Sequence, residues 1–153
     1  MNFKFDILSE SDYMGGSYLM DFGKMETQED AALVEGKLRA VFGVPEDLSE
    51  NSENSFNYFV RVTADDGRSV MLNVYNMGVI HIGAAGSDEF TVQAANALVE
   101  YVSASKPADF QRTVYYLDYD IQMDVSVVDG TVTVSNSQIS PEKAQELFQK
   151  FYF

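Results

Sequence analysis

Residues 58–75 read YFVRVTADDGRSVMLNVY, and this stretch decides the fold. Apolar and polar residues alternate on both sides of the Asp-Asp-Gly at 65–67, which is typical of half-buried strands joined by a tight turn. A two-residue turn would place the two apolar sets on opposite faces of the hairpin. A three-residue loop instead pairs Val60 with Leu72 and puts Gly67 where φ is positive, a conformation that glycine adopts at low cost. We therefore predict the three-residue loop.

The same reasoning adds a third strand after Asn-Met-Gly at 76–78, pairing Val74 with Ile80 and Leu72 with Ile82. One face of this sheet then carries Tyr58, Val60, Val62, Val70, Leu72, Val74, Ile80 and Ile82. The other face carries Phe59, Arg61, Met71, Asn73, Tyr75, Val79 and His81. An apolar centre with a few polar groups is typical of an interaction surface, but the N-terminal segment or another sheet could equally cover it.

Three helices are predicted from their ends. The first begins at Thr27, with Asp30 placed to complete a capping box, and stops at Gly43. The second begins at Ser87, where the acidic residues that follow suit the positive end of the helix dipole. The third begins at Ser140, which is followed by proline at the first helical position.

The remaining alternation completes an α+β domain spanning residues 1–153. Asp129-Gly130 is a favoured dipeptide for a two-residue hairpin turn, which pairs Val127 with Val132. The predicted order is strand, helix, three strands, helix, two or three strands, helix, with a pseudo-repeat of helix followed by hairpin. Six to eight strands form antiparallel sheets, and the sequence leaves open whether there is one sheet or two.

The composition excludes several classes of function. Asp and Glu number 24 against ten Lys and Arg, a net charge of −14 that argues against nucleic acid and anionic membranes as partners. The absence of cysteine excludes disulfides and sulfur-ligated metals. Charged residues at 4, 6 and 10 interrupt the start of the sequence, and no apolar stretch is long enough to span a membrane. We therefore expect a cytoplasmic protein.

Two groups of residues could carry chemistry. Asp118, Asp120 and Asp124 share one strand face, where paired carboxylates can bind a hard cation or act as acid and base. The polar side of a half-solvated strand explains them better, and the glycine and closing glutamate that a calcium loop needs are not present at the required spacing. His81 is the single histidine, and no nucleophile accompanies it. We therefore predict no catalysis, no metal and no cofactor.

Residues in the middle and last thirds of the chain carry a resemblance to a known kind of protein. The stretch from Tyr58 to Gly83, with its Asp-Asp-Gly turn, precedes a helix with an acidic start and then Tyr-Tyr-Leu-Asp at 115–118. This combination resembles small bacterial immunity proteins, which bind and neutralise a partner toxin domain. The resemblance implies stoichiometric binding, often to a basic toxin active site, without catalysis, and it transfers no residue roles.

The sequence therefore predicts a non-catalytic module that binds a basic protein partner, with no membrane or nucleic-acid partner. Acidic side chains would steer the encounter and aromatic side chains would anchor the complex. The candidate partner-binding residues are Phe59, Met71, Tyr75, His81, Asp118, Asp120 and Asp124. Two alternatives stay open: a domain that binds a small molecule or lipid, and a carboxylate-dependent hydrolase using Asp118 and Asp120.

Overall fold

The computed structural model of the chain describes residues 2–13, 15–45, 57–77, 79–116 and 121–136, together with Glu142 and Glu146. The strands are β1 (Phe3–Leu8), β2 (Ser17–Asp21), β3 (Asn57–Ala64), β4 (Ser69–Met77), β5 (Val79–Ala84), β6 (Phe110–Tyr116), β7 (Ile121–Val128) and β8 (Thr131–Asn136). The α-helices of the described residues are α1 (Gln28–Phe42) and α2 (Glu89–Ser103). The predicted third helix lies outside the described residues except at Glu142 and Glu146, where the backbone is helical.

The strands form two antiparallel sheets, as an α+β fold predicts. The larger sheet has the order β1-β3-β4-β5-β2, and the smaller one has the order β6-β7-β8. The segment before α1 contributes two strands where the predicted order had one, and they lie at opposite edges of the larger sheet. Each helix is followed by a three-stranded meander, which is the helix-then-hairpin pattern that the sequence indicated.

The hairpin between β3 and β4 has the predicted three-residue loop. Val60 pairs with Leu72 and Val62 pairs with Val70, so the apolar residues of both strands share one face. Gly67 has a φ of 92°, and its N–H donates to the Ala64 carbonyl at 3.0 Å. The turn between β7 and β8 is likewise as predicted, and Val127 pairs with Val132.

The predicted register between β4 and β5 was wrong by two residues. Val74 pairs with Ile82 instead of Ile80, because both strands continue toward the turn until Met77 pairs with Val79. A shift of two residues leaves every side chain on the same face, since side chains alternate with a period of two. The predicted set of residues on the apolar face is therefore correct although the register was wrong.

The helix termini follow from their capping residues. Thr27 accepts a hydrogen bond from the Asp30 N–H at 3.1 Å, and the Asp30 carboxylate accepts from the Thr27 N–H at 3.2 Å. The start of α2 differs from the prediction by one residue, because Asp88 and not Ser87 is the N-cap. Its carboxylate accepts from the Thr91 N–H at 2.8 Å, and this hydrogen bond lowers the pKa of Asp88.

The apolar face of the larger sheet, which we call the inner face, forms the core with the two helices. Its fully buried members include Val60, Leu72, Val74 and Ile82. Helix α1 also contacts β7 and β8 and so lies between parts of both sheets. Within α1, a Cβ added to Gly36 would lie 2.8 Å from the Pro107 side chain, which explains a glycine in the middle of this helix.

A buried ion cluster joins α1 to the smaller sheet. The Glu35 side chain is only 3% exposed, and its carboxylate contacts Arg39 at 3.0 Å and Arg112 at 2.8 Å. The Arg39 guanidinium also lies 4.6 Å from the ring centre of Phe110. A buried charge is tolerated only when it is paired, so we interpret this cluster as structural.

The opposite face of the larger sheet, the outer face, is crossed by the connection between β1 and β2. We call the described residues 9–13 and 15–16 the strap. The Tyr13 ring lies 5.0 Å from the ring of Phe59, and a Cβ added to Gly16 would lie 2.6 Å from the Ala84 carbonyl carbon. The strap therefore lies directly against the sheet and covers part of the outer face.

Candidate binding surface on the outer face

Three side chains form a row across the outer face beyond the strap. His81 of β5 pairs with Tyr75 of β4 on one side and with Asp21 of β2 on the other. The predicted position of His81 opposite Asn73 was wrong, because the two-residue register shift places Gly83 there. The rings of Tyr75 and His81 lie 5.5 Å apart between centroids.

Asp21 links the members of this surface. Its Oδ1 lies 2.8 Å from His81 Nδ1 and accepts a hydrogen bond from the Tyr18 hydroxyl at 3.0 Å. The Tyr18 ring meets the imidazole edge-on, with centroids 5.1 Å apart. We call Tyr18, Asp21, Tyr75 and His81 the tyrosine–histidine patch.

The phenols around the patch are held in their neutral form. Burial, followed by the nearby Asp21 charge, raises the pKa of Tyr75. Burial also raises the pKa of Tyr18, with a further contribution from its hydrogen bond to Asp21. Neutral phenols donate hydrogen bonds and present electron-rich ring faces, so these side chains suit a cationic partner.

The patch is open to solvent in the described structure. Tyr18 is 57% exposed, the Asp21 side chain is 46% exposed, and the His81 side chain is 20% exposed. Both hydrogen bonds to the Asp21 carboxylate go to Oδ1, so Oδ2 has no hydrogen-bond partner among the described residues. Within the described ranges, the patch thus presents Asp21 Oδ2 to solvent beside the Tyr18 and His81 rings.

A histidine that an aspartate orients can act as a base when a nucleophile lies beside it. Within the described residues, no serine or threonine hydroxyl is hydrogen-bonded to His81, whose side-chain partner is Asp21. In the same part of the chain, no three His, Cys, Asp or Glu side chains lie close enough together to bind a metal ion. Among the described residues, the groups that meet at His81 are therefore the Asp21 carboxylate and the rings of Tyr18 and Tyr75.

The structure brings together only some of the residues predicted for partner binding. Tyr75 and His81 lie in the patch, whereas Phe59 is only 4% exposed beneath Tyr13. Met71 is half-buried and lies four residues before Tyr75 in the same strand, about 13 Å away at the usual strand rise.

One member of the acidic row predicted for partner binding, Asp124, belongs to another part of the fold. Asp124 lies in β7 of the smaller sheet, where its carboxylate accepts a hydrogen bond from the Thr113 hydroxyl at 2.8 Å. Asp118 and Asp120 lie outside the described residues. Asp124 is therefore separate from the patch in the larger sheet.

Sequence reasoning missed Tyr18 and Asp21. Both lie in β2, whose place beside β5 depends on contacts about 60 residues apart. The useful signal is the register itself: once β2 pairs antiparallel with β5, Asp21 must lie opposite His81.

No helix in the described part of the chain combines the length and apolar character needed to cross a membrane. The chain matches no protein-family model, no curated protein and no solved structure at a significant level. The geometry of the patch and the charge of the chain are therefore the features that bear on function.

Proposed function

We propose that this protein is a non-catalytic protein-binding module whose tyrosine–histidine patch binds a basic side chain of a protein partner. The observation that carries the proposal is the Asp21 carboxylate, held by Tyr18 and His81 through Oδ1 while Oδ2 has no hydrogen-bond partner in the part of the chain that the structure describes. A carboxylate fixed in this way loses little freedom on binding, which favours affinity.

The chemistry of the patch fits arginine best. A guanidinium group is planar, always charged and able to donate to a carboxylate while stacking on an aromatic ring. Asp21 supplies the acceptor, and the exposed Tyr18 ring and the half-buried Tyr75 ring supply surfaces for stacking. An acidic side chain of a partner would instead meet the Asp21 charge.

The charge of the whole chain supports the same class of partner. A net charge of −14 produces a long-range field that attracts a basic protein and accelerates encounter at low salt. The resemblance to immunity proteins leads in the same direction, and we propose a basic toxin domain as the partner. Neutralisation of that toxin by occupying its active site follows from the proposal.

The test is to isolate the partner with the wild-type protein as bait and then to measure association and dissociation rates for variants. Tyr75→Ala should speed dissociation by an amount worth about 2 kcal/mol if Tyr75 is an anchor. Asp21→Asn should both slow association and speed dissociation, because it removes a steering charge and a direct contact.

The matched control is Asp6→Asn, which removes the same charge from β1 at the opposite edge of the same sheet. It should slow association at low salt as Asp21→Asn does and leave dissociation unchanged. Neutralising Asp118, Asp120 and Asp124 together should also act on association alone. Recovery of only an acidic partner, or equal dissociation rates for Asp21→Asn and Asp6→Asn, would contradict the proposal.

A further inference from the structure

Along the β1 edge of the larger sheet, backbone groups lie without a strand partner in the described part of the chain. The Asn2 carbonyl accepts from the Asp65 N–H at 3.0 Å, so the backbone groups of even-numbered residues here point toward β3. Because these directions alternate, the N–H and C=O groups of Phe3, Phe5 and Ile7 point away from the sheet. No described strand pairs with β1 on that side.

A groove of about 540 Å³ lies beside this open edge, between β1 and α2. Phe5 and Tyr101 line its apolar part, with their rings stacked at 4.7 Å, while Asn96 and Glu100 supply exposed polar groups from α2. The groove therefore lies beside the outward N–H and C=O groups of Phe3 and Phe5 and offers both apolar and acidic contacts.

The edge strand β1 lacks two of the usual protections of an edge strand, a proline and a bulge. Natural edge strands are also blunted by charged side chains, and β1 carries Lys4 and Asp6. The β1 strand has no proline, and its register with β3 is continuous from Phe3 to Leu8. Its charged residues, Lys4 and Asp6, lie on the outer face, and Ile7 at the edge is 47% exposed.

We propose that an extended basic segment of a protein partner binds as an additional strand beside β1, with alternate side chains in the groove and a lysine or arginine at Glu100. Main-chain hydrogen bonds to Phe3, Phe5 and Ile7 supply affinity, and the groove supplies selectivity. Glu100 is the charged residue among those lining the groove, which gives the charge complementarity that selects a basic segment. The inference does not depend on the tyrosine–histidine patch.

The test uses a fluorescein-labelled probe peptide, acetyl-Lys-Val-Arg-Val-Lys-Val-amide, and fluorescence anisotropy. Two further versions carry N-methyl groups on the odd or on the even residues, so that each lacks the N–H donors of one peptide edge. Strand addition uses one edge, so one version should bind at least about tenfold more weakly while the other keeps its affinity. Equal affinities of the two methylated versions would overturn the proposal.

Variants of the protein locate the site. Glu100→Gln should weaken binding of the unmethylated probe about fivefold, while Glu89→Gln, an exposed residue of α2 outside the groove, should leave it unchanged. Ile7→Pro should abolish binding, since it removes an outward N–H and proline is tolerated at sheet edges. Equal effects of the two glutamate variants would overturn the proposal.

Two outcomes separate this proposal from its competitors. Asp21→Asn should leave probe binding unchanged, so failure of the patch proposal and failure of this one are distinguishable. A dimer of the protein that Ile7→Pro dissociates and that excess probe does not displace would assign the β1 edge to a second copy of this chain, and would overturn the proposal. Analytical ultracentrifugation with and without the probe makes that measurement.

Discussion

The two faces of the larger sheet are built from the same strands but differ in what covers them. On the inner face, Val60, Leu72 and Ile82 are fully buried against the helices. On the outer face, the strap covers Phe59 but leaves Tyr75 and His81 only half-buried. Because side chains alternate between the two faces of each strand, one face stabilises the fold. The other face keeps polar groups where water or a partner reaches them.

The largest expected difference in stability is between variants of two neighbouring residues of β4, one on each face. Leu72→Ala should lower the free energy of unfolding by about 3 kcal/mol, since it leaves a cavity in a closely packed core. Met71→Ala, on the outer face, should lower it by about 1 kcal/mol because Met71 is only half-buried. Urea denaturation of both variants checks this, and equal losses would contradict the assignment of the faces.

A smaller loss of stability is expected from substitutions where the strap contacts the sheet. Gly16→Ala should destabilise the protein by about 2 kcal/mol, because its Cβ would collide with the Ala84 backbone and the Tyr13 hydroxyl. Gly15→Ala is the matched control: no atom lies within 4 Å of its added Cβ, and only the positive φ of 88° disfavours alanine there. Its loss should be about 1 kcal/mol. A smaller loss for Gly16→Ala than for Gly15→Ala in urea denaturation would show that the strap is not tightly packed.

The smallest expected loss of stability concerns Tyr58, which lies on the inner face. Burial raises the pKa of Tyr58 far above its ordinary value of 10.0, and its hydroxyl donates to the Gly43 carbonyl at 2.7 Å. The raised pKa means that Tyr58 contributes stability that is complete below pH 10 and is lost as the pH rises, because only the unfolded state ionises there.

Above pH 10, one such group lowers stability by at most about 1.4 kcal/mol per pH unit. Tyr58→Phe should lower the free energy of unfolding by about 1 kcal/mol at pH 7, because it removes the hydrogen bond. The decline of that free energy above pH 10 should be shallower than in the wild type. Urea denaturation between pH 7 and 11 checks both changes. An unchanged alkaline slope would mean that the outer-face tyrosines dominate it.

Much of the fold was predictable because the decisive signals are local. The Asp-Asp-Gly loop, the Asp129-Gly130 turn and the capping box of α1 each depend on residues within a few positions of one another. Asp129 and Gly130 both have positive φ, as the favoured two-residue turn requires. These local signals fixed the face of every strand in the two hairpins.

The unpredicted features depend on contacts that are distant in the sequence. The Glu35–Arg39 pair could have been found from its i,i+4 spacing, but Arg112 joins it from 77 residues away. The patch has the same character, because Tyr75 and His81 were predicted on one face while Asp21 depended on an unknown strand order. The β4–β5 register failed for another reason, since the length of the turn sets it and the sequence allowed more than one.

The positions of β1 and β2 at opposite edges have a consequence for synthesis of the chain. Both strands leave the ribosome before β3, β4 and β5, yet β1 pairs with β3 and β2 pairs with β5. The meander between them can form from contacts that are close in sequence, whereas the edge strands must wait for distant partners. Phe22 therefore stays uncovered until β5 has been made, and Phe3 and Phe5 wait for their ring partners Phe90 and Tyr101 in α2. The speed of translation from β3 to the end of α2 sets how long a chaperone has to act.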